Sequence, residues 1–131
     1  LLVDDEVPFV ETLVKRLEKR DLHVLAAHSG PEALAKLDAS GPSKIDVVIL
    51  DVKMPGMDGL ETLSRIKEEH PLIEVIMLTG HATVESAIEG MKRGAFDYLM
   101  KPVEFDELLY KIQDAHKKKS LQEARIGSPT S

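Results

Sequence analysis

Two stretches of the chain show no polar alternation: Val47-Val48-Ile49-Leu50 and Val75-Ile76-Met77-Leu78. Each is too short for a helix and too uniform for a strand with one wet face, so each predicts a strand buried on both faces. Strands of that kind belong to parallel sheets. The first is expected over Ile45 to Leu50, and Leu1 to Val3, Val24 to Ala27 and Phe96 to Met100 predict three more. Between the strands the spacing becomes helical. Val10, Leu13, Val14 and Leu17 recur at i, i+3, i+4 and i+7 from Pro8 onward. Ala33, Leu34 and Leu37 mark a second helix, and Leu60, Leu63 and Ile66 a third. Val84, Ala87, Ile88 and Met91 mark a fourth, and Leu108, Leu109 and Ile112 a fifth. Punctuation agrees with these limits. Ser29 and Glu32 stand three apart, as in a capping box. Asp58 looks like a cap for helix three, Pro71 ends it, and Gly94 ends helix four. Asp106 and Glu107 complement the dipole in the first turn of helix five.

Five strands alternating with five helices over short connections predict an α/β fold. It is a single three-layer, doubly wound, five-stranded parallel sheet with right-handed crossovers. The flavodoxin-like order 2-1-3-4-5 makes strands one, three and four neighbours. Ligand sites in such sheets lie past the carboxyl ends of the strands, at the switch point between strands one and three.

Composition narrows the function classes. The 131 residues suffice for one domain with a real core, and 43% apolar with 31% charged is globular. A net charge of −6 argues against a broad nucleic-acid-binding surface. Without cysteine there is neither a disulfide framework nor a thiolate site. The apolar runs are too short to span a bilayer, and with no signal peptide the expected location is cytoplasmic. The chain opens inside a strand at Leu1 without a methionine, so a few native residues are expected upstream. Residues 1–116 read as the domain, and residues 117–131 as a helix extension followed by a flexible linker or tail. In that tail Lys117-Lys118-Lys119 reads as a solvated helix end. His23, His28, His70 and His116 share no metal-ligand spacing and read as solvated.

The carboxyl ends of the strands carry the chemistry. Strand one ends in Asp4-Asp5, strand three in Asp51, strand four in Thr79 and strand five in Lys101. Three clustered carboxylates repel one another, and a divalent cation removes the conflict. All-oxygen ligands point to a hard ion, Mg²⁺ by preference. An ammonium and a hydroxyl opposite are suited to phosphoryl oxygens, so the rim looks built for phosphoryl transfer with a carboxylate as acceptor.

Leu2-Val3-Asp4-Asp5-Glu6, Asp51-Val52-Lys53-Met54-Pro55-Gly56-Met57-Asp58-Gly59, Leu78-Thr79-Gly80-His81 and Lys101-Pro102, in that order, resemble the CheY-like receiver domain of two-component response regulators. The resemblance covers about Leu1 to Ala115. It implies that Asp51 takes a phosphoryl group from a sensor histidine kinase. It further implies that Asp5 and Asp51 ligate Mg²⁺, with Asp4 close by and the backbone carbonyl of Lys53 as a further ligand. Thr79 and Lys101 would contact the acyl phosphate, Thr79 and Tyr98 would form the switch, and the Lys101-Pro102 bond would be cis. His81 and Lys53 are candidates for tuning phosphoryl lifetime. The implied partners are the kinase, an output domain or protein, and a second copy docking through helix four, strand five and helix five. No direct nucleic-acid or membrane contact by this domain is expected. The stretches Thr79 to Ala87 and Gly94 to Leu99 resemble receivers of NtrC-type transcriptional regulators. Such a domain is a switch that phosphorylates and dephosphorylates only itself. Two rivals are an aspartyl-phosphate phosphatase, disfavoured by Lys53 where a second acid belongs, and a scaffold receiver, disfavoured by the intact acids. A flavodoxin-like cofactor binder is disfavoured by Asp4-Asp5-Glu6 where an anion would sit.

Overall fold

In the computed structural model, every residue of Val47–Asp51 and Glu74–Thr79 is buried. The structure describes residues 1–40, 45–52, 59–80 and 84–127. In chain order the elements are β1 (Leu2–Val3), α1 (Val7–Glu18), β2 (Ala26–Ala27), α2 (Gly30–Ser40) and β3 (Val47–Asp51), then α3 (Gly59–Glu69), β4 (Glu74–Thr79), α4 (Val84–Lys92), β5 (Asp97–Met100) and α5 (Phe105–Gly127). The strands pair in parallel in the order β2-β1-β3-β4-β5, as expected. β1 and β2 are shorter than the apolar pattern suggested, and β3 begins at Val47 rather than Ile45.

Alternation along the strands divides the core in two. Val48, Leu50, Val75 and Met77 face Leu34, Leu37, Leu63 and Ile66 of α2 and α3. Ile49, Ile76, Leu78 and Leu99 face Leu13 and Leu17 of α1 and Leu108 and Ile112 of α5. At roughly 25 cal/mol per Å² of apolar surface, these two layers supply the main driving force of the fold. α4 is the exception among the helices. Ala87 is buried, but Ile88 and Met91 stand exposed, so its apolar face only partly covers the sheet.

Local signals behave as chemistry requires, with two differences. Gly94 takes φ +103°. Its N–H donates to the Met91 carbonyl at 3.2 Å and the Ala95 N–H to that of Gly90 at 3.1 Å, the paired bonds of a Schellman stop. Ser29 Oγ accepts the Glu32 N–H at 3.2 Å, but the Glu32 carboxylate takes the His28 N–H at 2.9 Å, so the box is reciprocated one residue early. The second difference is a correction. Lys119 is not solvated but 1% exposed. α5 runs unbroken past it, and the Lys119 ammonium is held by Asp46 at 2.8 Å and Glu123 at 2.7 Å. Beside it, Lys118 reaches the buried Glu74 at 2.9 Å, and Lys67 of α3 approaches the same carboxylate at 3.4 Å. Among the described residues no helix is long and apolar enough to cross a membrane.

Candidate functional site

Strand register builds the site. Leu2 and Ile49 are partners across β1 and β3, and both lie in the layer facing α1 and α5. Two residues further along each strand direction come Asp4 and Asp51, which the alternation turns to that same side. Leu99 of β5 also faces this layer, and Lys101 stands two residues beyond it. The outcome is a shared rim. Asp4, Asp5 and Asp51 offer carboxylate oxygens all within 4.8 Å of one another. Lys101 Nζ lies 2.7 Å from Asp4 Oδ2 and 3.6 Å from Asp51 Oδ2, spanning 97 positions of sequence to do so.

Solvation differs sharply across the three acids. Asp4 and Asp51 are buried, whereas Asp5 is exposed. Asp4 Oδ1 accepts the Glu6 N–H at 2.9 Å, the Asp4 N–H donates to the Ala27 carbonyl at 3.0 Å, and His28 Nδ1 lies 3.0 Å from the Asp4 carbonyl oxygen. Burial works against the charge on Lys101, but hydrogen bonds to Asp4 and Glu6 and the nearby charge of Asp51 outweigh it, holding its pKa above the ordinary lysine value. The Lys101-Pro102 bond is cis.

The donor set fits a hard divalent cation. It is oxygen only, the cluster contains neither histidine nor cysteine, and its exposed member Asp5 leaves one side open to water. A second acid–histidine group, Asp38, Glu69 and His70, lies on the surface at the far ends of α2 and α3, away from this rim.

Thr79 ends β4 and is buried. Its hydroxyl donates to the Leu99 carbonyl over a long 3.4 Å, and its own carbonyl accepts the Lys101 N–H at 2.8 Å. Tyr98 sits on β5 opposite Met77 with its side chain outward, 43% exposed. It lines a cleft of about 410 Å³ with Met100, Glu104, Glu107 and the Asp97–Lys111 pair. Lys53 and His81 lie outside the described residues, as does Asp58.

Two neighbours of the site had been given no role by their sequence. Glu6 Oε1 lies 3.1 Å from Lys101 Nζ, and the Phe9 ring centroid 4.7 Å from the same ammonium. The signal for Glu6 was its place directly after Asp4-Asp5 at the end of β1. Phe9 follows in the first turn of α1, a place that periodicity marks only as apolar.

The sequence profile of the response regulator receiver domain matches residues 1–113. The chain is 36% identical over 133 residues to the DNA-binding transcriptional regulator NtrC of Klebsiella pneumoniae, covering 98% of this chain and 28% of that protein. It is 36% identical over 126 residues to the transcriptional regulatory protein ZraR of Klebsiella oxytoca, covering 96% of this chain and 28% of that protein. The chain thus spans little more than a quarter of the length of these relatives. Among solved structures, a response regulator receiver domain protein from Clostridium thermocellum superposes with a TM-score of 0.86 at 40% identity, covering 92% of this chain and 95% of that one.

Proposed function

Since the chain belongs to the response regulator receiver domain family, we propose that Asp51 is its phosphoryl acceptor and that the donor is a phosphohistidine on a sensor kinase. The observation that carries this reading is the rim itself: the buried Asp51 carboxylate stands with the buried Asp4, the exposed Asp5 and the Lys101 ammonium gathered about it. The Asp51 carboxylate oxygen forms a bond to phosphorus as the bond from phosphorus to the donor nitrogen breaks, and the leaving imidazole keeps that electron pair. Asp5 and Asp51 would hold Mg²⁺, with Asp4 beside them and the Lys53 carbonyl as a further ligand. The ion would supply charge neutralisation at the phosphoryl oxygens. The Lys101 ammonium and the Thr79 hydroxyl bind the remaining phosphoryl oxygens. Thr79 exchanges only a long bond to Leu99 for this contact.

The readout follows from charge. The phosphoryl group carries about −1.5 to −2 charges. Because its bond to Asp51 consumes the carboxylate charge, the site gains up to about one negative charge, concentrated on three acceptor oxygens. Thr79 moves toward it, and Tyr98 turns inward from its exposed position. The surface that changes carries Ile88 and Met91 of α4 and Tyr98 and Met100 of β5, all exposed apolar side chains. An output domain, an output protein or a second copy would dock there, and the process controlled would be transcription, as in the relatives' names. The chemistry is confined to self-phosphorylation and autodephosphorylation, and the meeting with the kinase occurs in the cytoplasm. A phosphatase is not favoured, because Lys53 stands where its second acid would be.

The test is exposure to acetyl phosphate with Mg²⁺, read by intact mass. The wild-type chain gains one phosphoryl group and Asp51→Asn gains none. Equal uptake by both would remove the assignment.

A further inference from the structure

Lys101 is more heavily engaged in the resting site than an ammonium awaiting a phosphoryl group needs to be. Its two short contacts are to Asp4 at 2.7 Å and Glu6 at 3.1 Å, while Asp51 stands at 3.6 Å, outside hydrogen-bond reach. The Phe9 ring lies on the same ammonium. Glu6, Phe9 and Asp4 all belong to the β1–α1 segment, so Lys101 is drawn toward that segment and away from the acceptor. Glu6 is also unusual for its position. It is the N-cap residue of α1, yet its side chain makes no capping hydrogen bond. N-caps favour the short oxygens of Ser, Thr, Asp and Asn. The longer glutamate instead spends its carboxylate on Lys101. Its side chain is 63% exposed, against none for Asp4. The Glu6 contact is therefore the one that can be broken and remade at little cost.

We propose that Glu6 is a positioning residue for the phosphoryl transfer: it tethers Lys101 on the β1–α1 side of the unphosphorylated site, and releasing that tether is part of the work of placing the ammonium on the phosphoryl group at Asp51. This rests on Asp51 being the acceptor. Glu6 touches neither the phosphoryl group nor the reacting atoms. It acts through Lys101, whose three N–H donors are shared between the tether and the new anion.

The test uses three forms of the full chain: wild type, Glu6→Gln, and Glu6→Asp. Glutamine keeps the shape and removes the charge. Aspartate keeps the charge and is too short to hold Lys101 in the same place. Initial rates of phosphoryl uptake from acetyl phosphate with Mg²⁺ are measured for each, with Mg²⁺ affinity by calorimetry alongside. Both variants are expected to take up phosphoryl about three- to ten-fold faster, the scale of a partly exposed charged hydrogen bond, with Mg²⁺ affinity unchanged. Acceleration in Glu6→Gln alone would overturn the tether, because charge repulsion of the donor would then be sufficient. Wild-type rates in both variants would overturn it outright. A large loss of Mg²⁺ affinity in Glu6→Gln would also overturn it and make Glu6 a metal ligand. Uptake that survives Asp51→Asn brings down the acceptor reading and this proposal with it, whereas uptake that needs Asp51 but ignores Glu6 brings down the proposal alone.

Discussion

Asp21 holds φ 63°, in the left-handed region, just past the end of α1. Its N–H donates to the Glu18 carbonyl at 3.1 Å and the Leu22 N–H to that of Leu17 at 3.4 Å, so the conformation closes the helix. A side chain there works against the backbone. Asp21→Gly is expected to raise stability by about 0.5–1 kcal/mol, visible as a higher urea midpoint. Gly59 is the opposite case. A Cβ at Gly59 would lie 2.5 Å from both Cα and O of Val52, which is backbone and cannot step aside. Val52 follows Asp51 directly. Gly59→Ala should therefore cost about 3 kcal/mol and slow phosphoryl uptake as well. At Gly90 the obstruction is the far end of Met77, a flexible thioether, so Gly90→Ala should cost about 1 kcal/mol. Urea titrations of the three variants give that ranking directly.

At the scale of elements, α5 differs most from its sequence reading. Leu108, Ile112 and Ala115 form its buried stripe, and Lys119 continues the same spacing. A rule that follows apolar residues stops at Ala115 and assigns the lysine to water. The missing information was the partner, since Asp46 lies 73 positions away and its carboxylate has meaning only once β3 is in place. By contrast, the apolar strands, the Gly94 stop and the converging rim were all legible, because each depends on local spacing or on a topology with few alternatives. The Lys101–Glu6 contact was not, because it depends on the reach of two side chains rather than on strand ends. The ion pairs of α5 have measurable consequences. Glu74 is 1% exposed and is paired from α3 and α5 at once. Replacing Lys67 and Lys118 together by methionine leaves a buried carboxylate without a cation and should cost about 3–5 kcal/mol, much more than either change alone. Burial opposes the charge on Lys119, yet its hydrogen bonds to Asp46 and Glu123 prevail and raise its pKa above 10.5. A raised lysine stabilises the fold at every pH below its unfolded value and loses that effect as pH climbs through the folded one. The stability gap between wild type and Lys119→Met should accordingly stay constant through the neutral range and close only above about 10.5.

For the whole molecule, the two rims of the sheet do different work. The carboxyl rim gathers Asp4, Asp5, Asp51 and Lys101, and the opposite rim gathers Asp46, Glu74, Lys118 and Lys119. On the proposed reading, the acids clustered at the first rim would make the folded state the form that binds Mg²⁺. At a concentration one hundred times its dissociation constant the ion should add about 2.7 kcal/mol of stability. EDTA should reverse that gain, and Asp5→Asn should diminish it; thermal denaturation measures both. At the second rim the pairs fasten α5 past its middle, at Lys118 and Lys119, while Phe105, Leu108 and Ile112 fasten it near its start. Its 23 residues give a rod of about 35 Å. Held at its start and again past its middle, such a rod does not pivot; it transmits angular phase into the turns beyond Lys119. A fluorescent reporter fused after Gly127 would face a direction fixed by the screw of the helix. Each residue inserted between Lys119 and the fusion point would turn it by about 100°, and seven would bring it nearly full circle twice. Energy transfer to a dye placed on α1 should then rise and fall with insert length in the rhythm of the helix, rather than decay smoothly as it would along a loose tether.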